Sequence, residues 1–172
     1  MRVPCATRLV ILAKDIGVSC CQFVDEKIEG WLGLTINKEK TKVIDLKQGD
    51  ELNFLGYVFR FHDSLKRRGR KYLHMGASKK AIDKEMETLR EITSKKNCYL
   101  PIPELIDMIN EQLRGWKEYF SKGYPRQACR KINWYARECI VNHLHKRSQR
   151  HYRPPEGVSY YKHVYKLGLI YL

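Results

Sequence analysis

The stretch LIDMINEQLRGWKEYF, residues 105–120, decides the fold of the C-terminal half of the chain. Its apolar side chains are separated by three or four residues, which places them on one face of an α-helix because one turn takes 3.6 residues. We therefore predict a helix whose apolar face is buried in a core, and we expect Gly123 to stop it. The side chains of this face are Leu105, Ile109, Leu113, Trp116 and Phe120.

Gly115 lies inside this predicted helix, next to Trp116. Glycine in a helix interior costs about 1 kcal/mol relative to alanine. A packing reason is the simplest explanation for a glycine at such a position. We therefore expect a neighbouring helix to pack closely against Gly115.

Two more helices are predicted, one on each side of this stretch. Ser78 is a suitable N-cap for the first helix, and a linker with two prolines, residues 97–103, follows it. The other helix runs from about Arg126 to Ser148. Both have one apolar side at helical spacing. The apolar positions are Ile82, Met86, Leu89 and Ile92 in the first helix, and Ala128, Ile132, Tyr135 and Cys139 in the other.

The N-terminal part has the pattern of short strands. Apolar or alternating runs predict strands at residues 9–12, 41–46, 52–61 and 71–75. Between the first two strands, Asp15 is expected to cap a helix that ends at Gly33, where a left-handed residue is needed.

Together these elements predict an α+β fold. The predicted domains are residues 1–77, with a small mixed sheet and one helix, and residues 78–172, with a three-helix bundle. The boundary is placed where the strand patterns give way to the first long amphipathic helix.

The chain of 172 residues carries a formal net charge of +14, and its basic residues are concentrated. The segment from Arg114 to Arg153 contains eleven lysines and arginines but only two acidic residues, Glu118 and Glu138. Ordinary protein surfaces intersperse both signs of charge. A nucleic-acid partner is therefore predicted, because neutralising phosphates releases counterions. The alternative is a merely soluble basic protein.

The candidate nucleic-acid contacts come from three regions. Lys40 lies near the second predicted strand, a basic loop precedes the last one, and four arginines fall on one face of the helix after Arg126. The aromatic residues Tyr124, Tyr152 and Tyr160 lie in predicted loops, where stacking on bases and ordinary packing are both open. The predicted RNA-binding residues are Lys40, Lys66, Arg67, Arg68, Arg70, Lys71, Arg114, Lys117, Arg126, Arg130, Arg137 and Arg147.

Metal and membrane sites are not indicated. The six cysteines show no C-x₂-C pair, and the histidines lack partners at ligand spacing, so no metal or other cofactor is predicted. The apolar run from Leu9 to Ala13 is far too short to cross a bilayer. We therefore expect reduced thiols, no membrane partner and a cytoplasmic location.

A set of short motifs, in this order along the chain, resembles one family. The set is similar to the end of the palm and the thumb/maturase region of group II intron reverse transcriptases. This resemblance covers about residues 8–172, and it implies a palm remnant at residues 1–77 and a thumb/maturase-specific domain at residues 78–172. The motifs are Trp31-Leu32-Gly33-Leu34, Asn37, Lys40-Thr41, Phe54-Leu55-Gly56-Tyr57, Ser78-Lys79-Lys80, Leu105-Ile106, Asn110, Leu113-Arg114-Gly115-Trp116, Tyr119-Phe120 and Leu167-Gly168-Leu169.

The same resemblance implies a damaged polymerase site. Family members carry Tyr-Ala-Asp-Asp before an apolar strand, and the two aspartates help to hold catalytic magnesium. Here Thr7 and Arg8 stand in the aspartate positions, directly before the run Leu9–Ala13. A neutral hydroxyl and a guanidinium are poor ligands for Mg²⁺. No catalytic residue is therefore expected in this chain, and Mg²⁺ is expected only for an intact family member.

The resulting hypothesis is a maturase-type fragment that binds structured group II intron RNA and assists its folding and splicing. One alternative is the C-terminal piece of a split or longer active RNA-directed DNA polymerase, whose upstream fragment would be a partner. Another is a decayed remnant without function. An open edge of the palm sheet also predicts pairing with another chain or self-association.

Overall fold

The computed structural model describes residues 9–13, 18–64, 69–150 and 152–172. The chain divides into two compact units, Met1–Asp45 and Leu46–Leu172. The predicted domain boundary between residues 77 and 78 lies inside the second unit and stays a prediction. The predicted cap Asp15, the replaced positions Thr7 and Arg8, and part of the basic loop lie outside the described residues.

The first unit contains one described helical segment. Helix α1, Val18–Asp25, continues without a break into a π-helical stretch, Glu26–Trp31. Gly33 then adopts a left-handed conformation with φ of 62°, which confirms the predicted end of the helix. At Asn37 the chain turns, because the Asn37 carbonyl accepts hydrogen bonds from the backbone N–H groups of Lys40 and Thr41.

Two of the predicted strands are wrong. Residues 9–12 and 41–45 have no regular secondary structure, and Leu46 begins a single 3₁₀ turn, Leu46–Gln48. Leu12 is 81% exposed. A strand is stabilised by hydrogen bonds to a neighbour, and no described segment pairs with either stretch. An apolar or alternating pattern alone does not supply that neighbour.

The second unit begins with an antiparallel three-stranded sheet in the order β1-β2-β3. Its strands are β1, Leu52–Phe54; β2, Tyr57–Asp63; and β3, Lys71–Ala77. The predicted single strand over residues 52–61 is therefore two strands joined by a hairpin turn, whereas the predicted last strand is confirmed. Leu55 and Gly56 form the turn with φ of 49° and 80°. Positive φ at both central positions is the geometry of a type I′ hairpin.

The hairpin turn rests on the end of a helix. Tyr119 donates a hydrogen bond to the carbonyl of Leu55 over 2.9 Å, and Tyr57 donates one to the carbonyl of Tyr119. A Cβ at Gly56 would lie 3.2 Å from the Phe120 ring. The motif Phe54-Leu55-Gly56-Tyr57 therefore makes a tight turn that fits against these two aromatic residues.

Four helices follow the sheet: α2, Lys79–Ile92; α3, Ile102–Tyr119; α4, Arg126–Lys146; and α5, Tyr160–Lys166. The first three confirm the predicted helices, and Ser78 caps α2 by accepting from the Ala81 N–H. The whole predicted stripe of α3 is buried, and α2, α4 and α5 add side chains to the same core. The α+β class is confirmed.

Helix α5 was not predicted from the sequence. It has only seven residues, which is too short for a periodic apolar pattern to stand out. Its N-cap is Ser159, whose hydroxyl accepts from the Lys162 N–H, and its buried residue is Val164. The helix is therefore held by a cap and by one anchor in the core.

The C-terminal segment is clamped by two buried asparagines. Asn110 on α3 donates from Nδ2 to the Gly168 carbonyl and accepts from the Ile170 N–H through Oδ1, over 2.9 and 3.0 Å. Asn133 on α4 accepts from the Leu172 N–H over 3.1 Å. These amides satisfy backbone groups that would otherwise be buried without partners. They fix residues 168–172 across α3 and α4.

The expectation about Gly115 is wrong. A Cβ built at Gly115 meets no atom within 4 Å, and the residue is exposed. Close packing against a neighbouring helix therefore does not explain this glycine.

Gly115→Ala should raise the free energy of unfolding by about 0.5–1 kcal/mol, because alanine is the better helix former and has room here. Urea denaturation followed by circular dichroism would measure the gain. A loss of stability would show that the position is more crowded than this geometry indicates.

A buried carboxyl group lies between α2 and α3. Glu85 is 4% exposed; its Oε2 accepts from Gln112 Nε2 over 2.7 Å, and its Oε1 has no partner among the described residues. Burial raises the pKa of Glu85 above its ordinary value of 4.5, although the Gln112 hydrogen bond lowers it in part. The neutral form is therefore favoured in the folded state.

Glu85→Gln should stabilise the protein at pH 7 by about 1 kcal/mol and leave it nearly unchanged at pH 4. The pKa of Glu85 is higher in the folded state than in the unfolded state. Its contribution to stability is therefore complete below the unfolded-state pKa and is lost as the pH rises through the folded-state pKa. Melting curves of both proteins at the two pH values would measure the difference. An equal effect at both values would contradict this role of Glu85.

Candidate nucleic-acid interface

The start of α4 concentrates positive charge. Its N-cap is Pro125, which offers no side-chain hydrogen bond, and no acidic residue lies in its first turn. The first N–H groups of a helix lack partners inside the helix, and the helix dipole makes this end partly positive. Arg126 and Arg130 add two cations at the same end. Such an arrangement is unfavourable until an anion compensates it.

These arginines line a surface pocket, called here the basic pocket, of about 510 Å³. It lies between the end of α3, the start of α4 and the C-terminal segment. Lys117 contributes a third cation, and Ser121 and Tyr171 contribute hydroxyl groups. None of the described residues on its wall is acidic. The complete wall consists of Lys117, Ser121, Pro125, Arg126, Cys129, Arg130, Tyr171 and Leu172.

The three cations are available to an incoming ligand. Lys117, Arg126 and Arg130 are all exposed, and among the described residues none of them forms an ion pair within 4.0 Å. The Cys129 thiol at the base is buried, which raises its pKa, while Lys117 nearby lowers it in part. The thiol therefore stays neutral near pH 7 and does not compete with a ligand for the cations. Arginine forks and a lysine ammonium are suited to phosphate oxygens.

The other predicted contacts on the helices are dispersed. Arg114 is exposed one turn before Lys117 on α3, on nearly the same face of that helix. Arg137 lies further along α4, Arg147 directly follows the last residue of that helix, and both are half-buried. The Arg137 guanidinium lies 4.5 Å from the ring centre of Tyr161 on α5. The structure therefore separates the predicted arginine face of α4 into an open start and a partly covered end.

The remaining predicted contacts are not on the helices. Lys40 is exposed in the first unit, where its backbone N–H is bonded at the Asn37 turn. Arg70 and Lys71 are exposed at the start of β3. Lys66, Arg67 and Arg68 lie outside the described residues. For all of these, nucleic-acid contact stays a prediction.

The two hydroxyl-bearing residues that line the basic pocket, Ser121 and Tyr171, were not found from the sequence. Ser121 follows α3 directly, and Tyr171 lies 54 residues after Lys117 in a segment with no recognisable pattern. Tyr171 reaches the pocket because Asn110 and Asn133 hold the neighbouring backbone. The available signal was a polar asparagine on the apolar side of each of two predicted helices. Such an asparagine indicates a buried hydrogen bond but does not identify the backbone segment that it binds.

In the part of the chain that the structure describes, no three His, Cys, Asp or Glu side chains come together as a metal site. Thr7 and Arg8, which the resemblance places at the two aspartate positions of the magnesium motif, do not fit the ion chemically, since neither supplies a carboxylate. None of the described helices combines the length and the hydrophobicity needed to cross a bilayer.

A comparison with models of protein families gives a match. The family model described as "Group II intron, maturase-specific domain" matches residues 82–161. This range holds all of α3 and α4 and the three cations of the basic pocket. A comparison with curated proteins found no match. Over residues 82–161 the family match confirms the resemblance predicted from the sequence motifs, and it supports a role in group II intron splicing, whereas the palm part of the resemblance stays a prediction.

Proposed function

We propose that the chain binds structured group II intron RNA and assists its folding and splicing, because residues 82–161 match the family model of the group II intron maturase-specific domain. The observation that carries the proposal is the basic pocket inside the matched region. Its three exposed cations converge at a helix N-terminus that has neither a cap nor an acidic neighbour. A phosphate group supplies the charge that this arrangement lacks.

RNA fits this surface better than a small anion does. The positive charge continues from the basic pocket to Arg114 on α3, so that several phosphates along one strand have partners. The hydroxyl groups of Ser121 and Tyr171 are suited to phosphate oxygens and to the 2′-hydroxyl groups displayed by an RNA helix. Contacts to the backbone hold an RNA by its shape and carry little sequence information. Holding two RNA segments in their folded arrangement is the expected contribution to splicing.

A binding titration tests this proposal. The purified chain is titrated with a folded group II intron RNA, a DNA duplex and an unstructured RNA of equal length, each at several salt concentrations. We expect the folded RNA to bind most tightly, with an affinity that falls as salt rises because each phosphate contact releases about 0.7–0.9 counterions. Equal affinity for all three ligands would reduce the activity to that of a general polycation.

A splicing assay tests the second half of the proposal. The precursor RNA is incubated at a Mg²⁺ concentration too low for the RNA to splice alone, with and without the protein. We expect spliced product only with the protein. Tight binding without product would leave RNA binding in place and exclude the role in folding.

The alternatives from the sequence lead to different results. A split polymerase would extend a primer once an upstream reverse-transcriptase fragment is added, and a decayed remnant would show no cooperative unfolding transition. Self-association through an edge of the sheet would appear as a concentration-dependent mass in sedimentation. Each of these stays a prediction.

A further inference from the structure

A group of rings covers one face of the sheet. Side chains alternate between the two faces of a strand, so His62 on β2 and Tyr72 and His74 on β3 point to the same side. The register places His62 opposite Tyr72. Tyr124, from the segment between α3 and α4, joins them. We call His62, Tyr72, His74 and Tyr124 the aromatic platform.

The rings of the platform hold each other in place. The His74 and Tyr124 rings are nearly parallel, at 14° with centres 5.2 Å apart. Tyr72 meets Tyr124 edge to face at 5.4 Å, and it also stacks with His62 at 6.1 Å. His62 and His74 complete the group, with centres 5.0 Å apart. Rings fixed in this way lose little further freedom when a ligand stacks on them.

The backbone also fixes the position of Tyr124. Its N–H donates to the Met75 carbonyl over 2.8 Å, which ties this segment to the edge of β3. The next position on the same face of β3 is Gly76, where a Cβ would lie 3.0 Å from His74 Nε2. The glycine therefore leaves room for the His74 ring to lie against Tyr124.

The platform remains open to a ligand. Tyr124 is 52% exposed and Tyr72 is 38% exposed. Burial lowers the pKa of His74, and the neighbouring His62 and Arg60 lower it further, so its imidazole is neutral at pH 7. Partly exposed aromatic rings such as those of Tyr72 and Tyr124 are suited to stacking on nucleobases, which is how proteins hold unpaired strands.

The surroundings favour nucleic acid over another protein. Arg70 and Lys71, both exposed, directly precede Tyr72 in the chain and bring positive charge to this end of the sheet. The platform consists of tyrosine and histidine, whose ring faces stack on bases of any sequence. The chain as a whole carries a net charge of +14, which attracts a polyanion.

We propose that the aromatic platform stacks on unpaired bases of a single-stranded RNA segment. This inference rests on the proposed function in that the ligand is RNA, but it concerns a second surface with a different chemistry. The basic pocket binds phosphates of folded RNA, whereas the platform binds unpaired bases by stacking. One RNA with a helix and a single-stranded flank would engage both.

The test uses two RNA hairpins that differ in a single-stranded tail. One hairpin is blunt, and the other carries a six-nucleotide tail that contains the fluorescent base 2-aminopurine. With the unaltered protein, we expect the tail to strengthen binding and its fluorescence to be quenched by stacking. In the double variant Tyr72→Leu/Tyr124→Leu, the gain from the tail should fall roughly 5- to 30-fold, while binding of the blunt hairpin stays unchanged.

Two controls keep the result interpretable. Tyr99→Leu removes a tyrosine that is 77% exposed in the linker before α3, and it should leave the tail effect intact. Tyr72→Phe/Tyr124→Phe retains the rings and should retain the gain and the quenching. Melting curves of all variants identify any that fail to fold. If the double leucine variant fails to fold, the variant Tyr72→Phe/Tyr124→Leu replaces it in the comparison.

The outcomes separate this inference from the proposed function. If the blunt hairpin binds but the tail adds nothing, or if its effect survives in the leucine variants, the platform does not stack bases. If neither hairpin binds, the proposed function fails as well. A tail effect that disappears only with the loss of the rings supports the inference.

Discussion

The triple variant Lys117→Gln/Arg126→Gln/Arg130→Gln should bind folded intron RNA roughly 100- to 1,000-fold more weakly than the unaltered chain. Each cation lines the basic pocket and has no ion-pair partner among the described residues. A hydrogen bond between solvent-exposed groups contributes about 0.5–1.5 kcal/mol, and the loss of three contacts toward the upper end of this range, about 3–4 kcal/mol in total, gives a change of this size. Filter binding or fluorescence anisotropy at fixed salt measures it.

The salt dependence of the same variant provides a second readout. Because the variant lacks three cations that contact phosphates, the negative slope of log affinity against log salt should become shallower by about 2–3. The variant should also melt close to the unaltered protein, since Arg126 and Arg130 oppose the dipole of α4 whereas Lys117, in the last turn of α3, favours the dipole of that helix. A loss of RNA binding with unchanged folding would thus show that the three cations act by contacting RNA.

A matched control removes the same charge elsewhere. Lys84, Lys95 and Lys96 are exposed at α2 and the 3₁₀ turn that follows it, and glutamine at all three lowers the net charge equally. We expect a much smaller loss of affinity from this control. Equal losses would mean that total charge, and not the basic pocket, determines binding.

Gly123→Ala should lower the free energy of unfolding by about 2–4 kcal/mol. Gly123 adopts φ of 78°, a left-handed conformation that an L side chain rarely takes. An added Cβ would also lie 2.3 Å from the Met75 carbonyl oxygen, a backbone atom that cannot move without disturbing β3. The neighbouring hydrogen bond from the Tyr124 N–H to the same carbonyl is expected to break. Urea denaturation measures the loss.

Gly157→Ala is the control for this prediction. Gly157 has nearly the same φ, 74°, but a Cβ there would meet no atom within 4 Å. Its replacement should therefore cost only the backbone term, about 1 kcal/mol. If both variants lose the same stability, the contact between Gly123 and Met75 is not what requires glycine.

The long helices could be predicted because their apolar spacing carries the information locally. The stripe from Leu105 to Phe120 is buried along its whole length, and Ser78 caps α2 as expected. The hairpin at Leu55-Gly56 was missed because leucine at a positive φ is uncommon and a run of apolar residues conceals the turn. The strands expected at residues 9–12 and 41–46 failed because pairing depends on a neighbour that the local pattern does not contain.

The candidate site was predicted only in part, for a similar reason. Charge density indicated Lys117, Arg126 and Arg130 individually, but their convergence depends on the crossing of α3 and α4 and on a C-terminal segment without periodicity. Base stacking by Tyr124 was left open from the sequence, but the aromatic platform as a whole could not be predicted, since His62 and His74 meet diagonally across two strands. Residues that are distant in sequence become a site only through the register of the sheet and the packing of the helices.

The clamp on the C-terminal segment has a practical consequence for protein production. Because Asn133 holds the Leu172 N–H and Leu172 forms part of the pocket wall, a peptide fused after this residue starts at the rim of that cavity. An acidic epitope tag in that place would offer its own carboxylates to the neighbouring cations and act as a built-in competitor. Purification handles are better attached elsewhere.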